Sequence, residues 1–107
     1  MSTIDFGGID ADGEGPTIGG VTEYRIARDA VTADTPASFD GIEIAGCMER
    51  DGVVERVADD RFARFYSVYL HYVECGVECV GDFASSARAH AYAGQIHDAF
   101  GWPIKLA

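Results

Sequence analysis

The segment from Phe65 to Phe100 constrains the fold more than any other, because it reads as two adjoining strands followed by a capped helix. Phe65-Tyr-Ser-Val-Tyr-Leu-His-Tyr-Val73 is dense in aromatic and β-branched residues, the types that fit a pleated, half-buried surface. Alternation puts Tyr66, Val68, Leu70 and Tyr72 on one face and Phe65, Ser67, Tyr69, His71 and Val73 on the other. The first set is the more uniformly apolar, so it is the face expected to meet a helix. Cys75-Gly76 then turns the chain back through Val77–Phe83. A two-residue turn would pair Tyr72 with Cys79, Leu70 with Gly81 and Val68 with Phe83. It would leave Glu78, Val80 and Asp82 on the outer face with Val73, His71 and Tyr69.

Ser85 or Ser86 is a natural N-cap for a helix from about Ser86 to Phe100. Ala89, Tyr92, Ala93, Ile96 and Phe100 recur at three- and four-residue spacing and form its apolar stripe, with alanines small enough for close approach to a sheet. Gly101 suits a left-handed residue after the helix, and Pro103 prevents continuation. Trp102 should fold back over the core edge, and Ile104-Lys105-Leu106 suits a last short strand.

Upstream signals are weaker. Val21–Arg28 places Tyr24 and Ile26 on one side of a strand, Asp34-Thr35-Pro36 reads as a loop, and Ile42-Glu43-Ile44 resumes alternation. Arg50-Asp51-Gly52 marks a hairpin; a three-residue loop with Gly52 left-handed would set Met48 opposite Val54, and the apolar pattern favours that over a strict Asp-Gly turn with Met48 opposite Glu55. Residues 1–20 hold six glycines, four acids and no base, a composition expected to stay a mobile tail, although Ile4, Phe6 and Ile9 could dock. The expected fold is therefore α+β: one domain over residues 21–107, an antiparallel sheet of about four or five strands with one C-terminal helix packed on one face.

The formal net charge is -10, from 18 acids and 8 lysines or arginines. That balance argues against a nucleic-acid reader or an anionic-membrane binder, both of which need a cationic surface. The charge is uneven. Residues 1–60 hold 14 acids and 4 bases, residues 61–107 hold 4 of each, and nine of the twelve aromatic residues follow residue 60. The start, Met1-Ser-Thr-Ile-Asp5, has neither a basic nor an apolar run, so no signal peptide is expected, and the stretch around Phe65–Val73 is too short and too polar for a membrane helix. With three cysteines, Cys47, Cys75 and Cys79, the simplest expectation is a cytoplasmic protein with reduced thiols.

Candidate chemistry is sparse. Asp10-Ala-Asp12-Gly-Glu14-Gly15 matches the opening of an EF-hand loop, but position 7 is Pro16, position 12 is Val21, and helical flanks are missing. His71, Cys75 and Cys79 give a zinc-like spacing, yet on the expected hairpin they diverge to the outer face, the turn and the core. His90 and His97 are two helical turns apart, about 10.5 Å, too far to chelate one ion. No phosphate loop, nucleophile elbow or zincin motif is present. The expectation is a non-enzyme without a cofactor or a metal.

Gly81-Asp-Phe83-Ala-Ser85-Ser-Ala-Arg-Ala89, following a hairpin, resembles the strand-to-helix corner of AP2-type and phage-integrase arm DNA-binding domains. The resemblance implies shared packing of a sheet on one helix. It does not extend to DNA binding, because Glu74, Glu78 and Asp82 stand where such domains need Arg and Lys. The function expected is a small acidic interaction module that meets a protein partner, or its own copy, through Phe65, Tyr69, His71, Val73 and Val80. One alternative is a small-molecule-binding or enzymatic domain using Tyr69 and His71. Another is an acidic inhibitor that mimics nucleic acid.

Overall fold

In a computed structural model that describes residues 5–106, the chain runs β1 (Gly13–Ile18), β2 (Val21–Arg25), α1 (Ala27–Ala33), β3 (Phe39–Arg50), β4 (Val53–Arg56), β5 (Phe65–Tyr72), β6 (Val77–Phe83), α2 (Ser86–Phe100) and β7 (Ile104–Leu106). The strands form a single sheet in the order β1-β2-β6-β5-β3-β4, and β7 pairs with β3. The four or five antiparallel strands expected are thus corrected to seven, with one parallel pair, and the single helix to two. The physical reason for the parallel pair lies in α2. A 15-residue helix carries the chain back across the sheet, so β7 starts out in the direction of β6, which is also the direction of β3. β7 then binds β3 through Ile42, Glu43 and Ile44.

α2 has the bounds its sequence implies. The Ser85 hydroxyl accepts from Arg88 N–H, Gly101 closes the helix with φ 79°, and Ala89, Tyr92, Ala93 and Ile96 are buried. They pack with Ile42, Ile44, Val68, Leu70 and Phe83 in one core, onto which Trp102 folds, stacked on Phe100 at 4.6 Å.

Helix α1 has no strong sequence signal because its cap comes from elsewhere. Asp12 accepts from Arg28 N–H at 3.1 Å and from Asp29 N–H at 2.7 Å, satisfying donors at the helix start that no neighbouring side chain reaches. This Asp12 belongs to the stretch expected to be tail. Ile9 is in the core, 2% exposed, and Arg28 donates to its carbonyl at 2.6 Å. Residues 13–18 form an edge strand. Only residues 1–4 of that stretch, with Ile4, lie outside the described residues.

Two registers differ from expectation. At the β3–β4 turn Met48 faces Glu55 and Arg50 faces Val53, with Asp51 at φ 52° and Gly52 at φ 79°, so the loop is the two-residue form. β4 is exposed throughout, so turn chemistry sets the pairing there and burial has no vote. Between β5 and β6 the pairs are Leu70–Glu78, Val68–Gly81 and Tyr66–Phe83 in place of those expected from a two-residue Cys75-Gly76 turn, because the loop from Tyr72 to Val77 is longer. A bulge at Val80 also lies between the pairs Val68–Gly81 and Tyr69–Cys79. It reverses the alternation from Val77 to Val80, sending Val80 into the core and Cys79 to the opposite face.

Candidate functional site

Both helices lie on one side of the sheet, within one core cluster. No described element crosses the other side. The chain before β5 widens the sheet at its two margins instead of covering that face. The open face is centred on β5 and β3, where Phe65 pairs with Cys47, Ser67 with Ala45, Tyr69 with Glu43 and His71 with Gly41. β6 continues it through Asp82, Cys79 and Val77, and β2 through Tyr24.

Its middle is a hydrogen-bonded, partly apolar lattice. Glu43 receives His71 Nε2 at 2.7 Å and an Arg56 guanidinium nitrogen at 2.7 Å. Burial opposes ionisation of Glu43, but the His71 and Arg56 contacts outweigh it and hold the carboxyl below its usual value. Arg56 also lies over the Tyr69 ring, 4.5 Å from its centroid. Tyr69 in turn brings its hydroxyl within 3.7 Å of Cys47 Sγ. Desolvation, reinforced by Cys47, pushes the Tyr69 hydroxyl up to about 12, so it stays protonated. These side chains shield Ala45 and Cys47, which are buried although they face away from the main core.

Towards β6, buried Ser67 donates to Asp82 at 2.6 Å, and Cys79 Sγ lies 3.7 Å from the same carboxylate oxygen. Desolvation of the sulfur and the charge of Asp82 push the Cys79 thiol up to about 11. The serine is thus bonded to one carboxylate and the histidine to another. Neither pairing links a nucleophile to a base in the manner of a triad. Around this lattice stand exposed apolar side chains: Tyr24 at 45%, Val54 at 54% and Val77 at 38%.

Of the five residues expected to form an interaction surface, Phe65, Tyr69 and His71 are half-buried on this face. Val73 is exposed at the end of β5, on the rim of an open cleft of about 540 Å³. That cleft is lined by Asp34, Tyr72, Glu74 and Cys75, among others, and not by Tyr69 or His71. Val80 is fully buried beneath the helices and cannot contribute, for the bulge reason given above. His71, Cys75 and Cys79 do not converge, and among the described residues no group of three or more His, Cys, Asp or Glu could hold a metal. Within the EF-hand-like fragment, Asp10 pairs with Arg25 and Asp12 caps α1. No helix among the described residues is long and apolar enough to cross a membrane.

A second polar cluster, on the helix side, has no sequence signature. Alternation in β2 turns Glu23 inward and Tyr24 out. Glu23 is completely buried. It accepts from Arg88 Nε at 2.6 Å and from Ala84 N–H at 3.0 Å, with Arg25 at 3.4 Å. The Arg88 hydrogen bond is the largest influence and, with Ala84 and the two arginine charges, keeps Glu23 below its usual value against the cost of burial. Sequence alone shows an acid in a strand; the partners are 61 and 65 residues away.

Compared with protein-family models, curated proteins and solved structures, the chain matches none of them.

Proposed function

We propose that this chain is a protein-recognition module whose uncovered sheet face takes a basic protein partner. The observation that carries the reading is the one-sided architecture: a sheet with both helices on one face and half-buried Phe65, Tyr69 and His71 on the other. Such a face offers aromatic side chains for a desolvated contact centre, inside a rim where Glu14 and Glu49 are exposed. The formal charge of -10 selects the partner. Two copies placed face to face would repel each other, whereas a cationic surface would be steered onto the sheet and would discard few existing contacts.

The test is photo-crosslinking in cells from a benzoyl-phenylalanine placed at Val77 or Tyr24, with Asp98 on the outer side of α2 as the control. The expected result is one basic protein captured from both sheet positions and not from Asp98, with purified-complex binding that weakens steeply as salt rises. Capture from Asp98 alone overturns the reading. So does a homodimer joined through this face, seen by light scattering, or an acidic partner.

A further inference from the structure

On the helix side, a groove of about 270 Å³ runs between the segment before β1 and helix α2, lined by Arg25, Arg88, Phe83, Ala87, Tyr92 and Gln95, with Asp10 at its edge. In a chain with only 8 basic residues, two guanidiniums meet here. Their mutual repulsion is offset by the buried Glu23 carboxylate between them. Arg88 commits only its Nε to Glu23, and its side chain lines the groove and is 41% exposed. Arg25 is 11% exposed, and its buried Nε has no hydrogen-bond partner among the described residues. A buried guanidinium donor left without an acceptor is costly, and such groups are few in native proteins.

What stands nearest that donor is Asp10 Oδ2, at 3.5 Å, close enough for attraction but without hydrogen-bond geometry. Asp10 is half-exposed and is anchored by its backbone N–H, which donates to Gln95. Its carboxylate can therefore leave without unseating the chain.

We propose that the Arg25–Arg88 groove is a binding site for a small organic carboxylate, with Asp10 as a weak internal occupant that the ligand displaces. The carboxylate takes the place beside Arg25 Nε and the free edge of Arg88, matching the planar forks of both. A short apolar tail lies along the exposed Ala87 and Ala91 of α2. The class follows from the groove itself, where the arginines already receive carboxylates from Glu23 and Asp10 and a flat, partly apolar slot is left between strand and helix. The site is on the opposite side of the sheet from the proposed partner face, so either can fail alone.

Butyrate is the probe. In a proton–nitrogen correlation spectrum of the full chain, it should produce saturable shifts at the Nε–Hε signals of Arg25 and Arg88 and at the Gln95 amide. Sodium chloride at equal ionic strength should not reproduce them, and inorganic phosphate should bind more weakly. Asp10→Asn removes the competing occupant and should tighten butyrate binding about two- to five-fold, the range of one partly exposed ion pair. Gly15→Ala is the second variant. A Cβ there would lie 2.0 Å from an Arg25 terminal nitrogen, so it should displace the guanidinium and abolish binding. That nitrogen is the end of a flexible side chain, so the spectrum should otherwise remain that of the folded protein. The proposal is overturned by shifts that do not saturate, by phosphate binding more tightly than butyrate, or by Asp10→Asn leaving affinity unchanged.

Discussion

Replacing Glu23 with alanine should destabilise the protein by about 3 kcal/mol. The carboxylate is fully buried and ties β2, the β6–α2 corner and α2 together, accepting from Arg88, Ala84 and Arg25. Removing one partner of a buried charge pair costs roughly 3–5 kcal/mol, because the remaining charges stay desolvated. The two arginines do not suffer equally. Arg88, 41% exposed, can turn into water, whereas Arg25, 11% exposed, keeps its charge facing Arg88's former place. This asymmetry puts the loss at the lower end of that range, and the Ala84 N–H left without its acceptor prevents it from falling much further. Against a total stability of about 5–15 kcal/mol this is severe, and it corresponds to roughly 15 °C in Tm for a domain near this size. Urea unfolding followed by circular dichroism measures it, together with Arg88→Ala and the double variant. The cycle should show positive coupling on the order of 1–3 kcal/mol. Acid titration supplies an independent check. Glu23 has its folded pKa below the ordinary 4.5, so its contribution is complete above that value and drains away as pH falls through the lowered one. Wild type should therefore lose Tm more steeply than Glu23→Ala below about pH 4.5. A cost under about 1 kcal/mol with parallel acid profiles would refute the reasoning, because Glu23 would then be dispensable despite its burial.

Ile9→Ala should cost about 2–4 kcal/mol, read by the same unfolding assay, because Ile9 is a core residue at 2% exposure; a loss near zero would mean that the segment before β1 contributes no packing. Gly81→Ala should cost about 1–3 kcal/mol, since the added Cβ would lie 2.7 Å from the Phe83 ring and 3.1 Å from the Tyr24 carbonyl, and neither the buried ring nor the strand backbone yields easily. The thiols should react with a disulfide reagent at pH 7.5 in the order Cys75, then Cys79, then Cys47: Cys75 is exposed, Cys79 has its thiol held at about 11, and Cys47 is inaccessible until unfolding. Mass mapping of the first adduct to Cys79 would contradict that order.

The local sequence determined the parts of this fold whose signals are local. The β5–β6 hairpin and α2 are legible because aromatic alternation, a Ser85 cap, a 3.6-residue apolar stripe and Gly101 all lie within the elements they define. Net charge likewise needs no coordinates, and it narrows the kind of partner. What remained hidden depends on groups distant along the chain. Helix α1 needs Asp12, Glu23 needs Arg88 and Ala84, and Ile9 needs a core that only the assembled sheet and helices provide. Register was the other gap. A single inserted residue at Val80 exchanges the two faces of half a strand, so alternation put Phe65, Tyr69 and His71 on the face where they lie but misplaced Val80. The open face itself was undecidable from residues 21–57, because those strands could satisfy their hydrogen bonds equally well by covering the sheet or by widening it. Tertiary structure chose widening: β2 found β6, β3 found β5, and one face of the sheet was left uncovered by any described element.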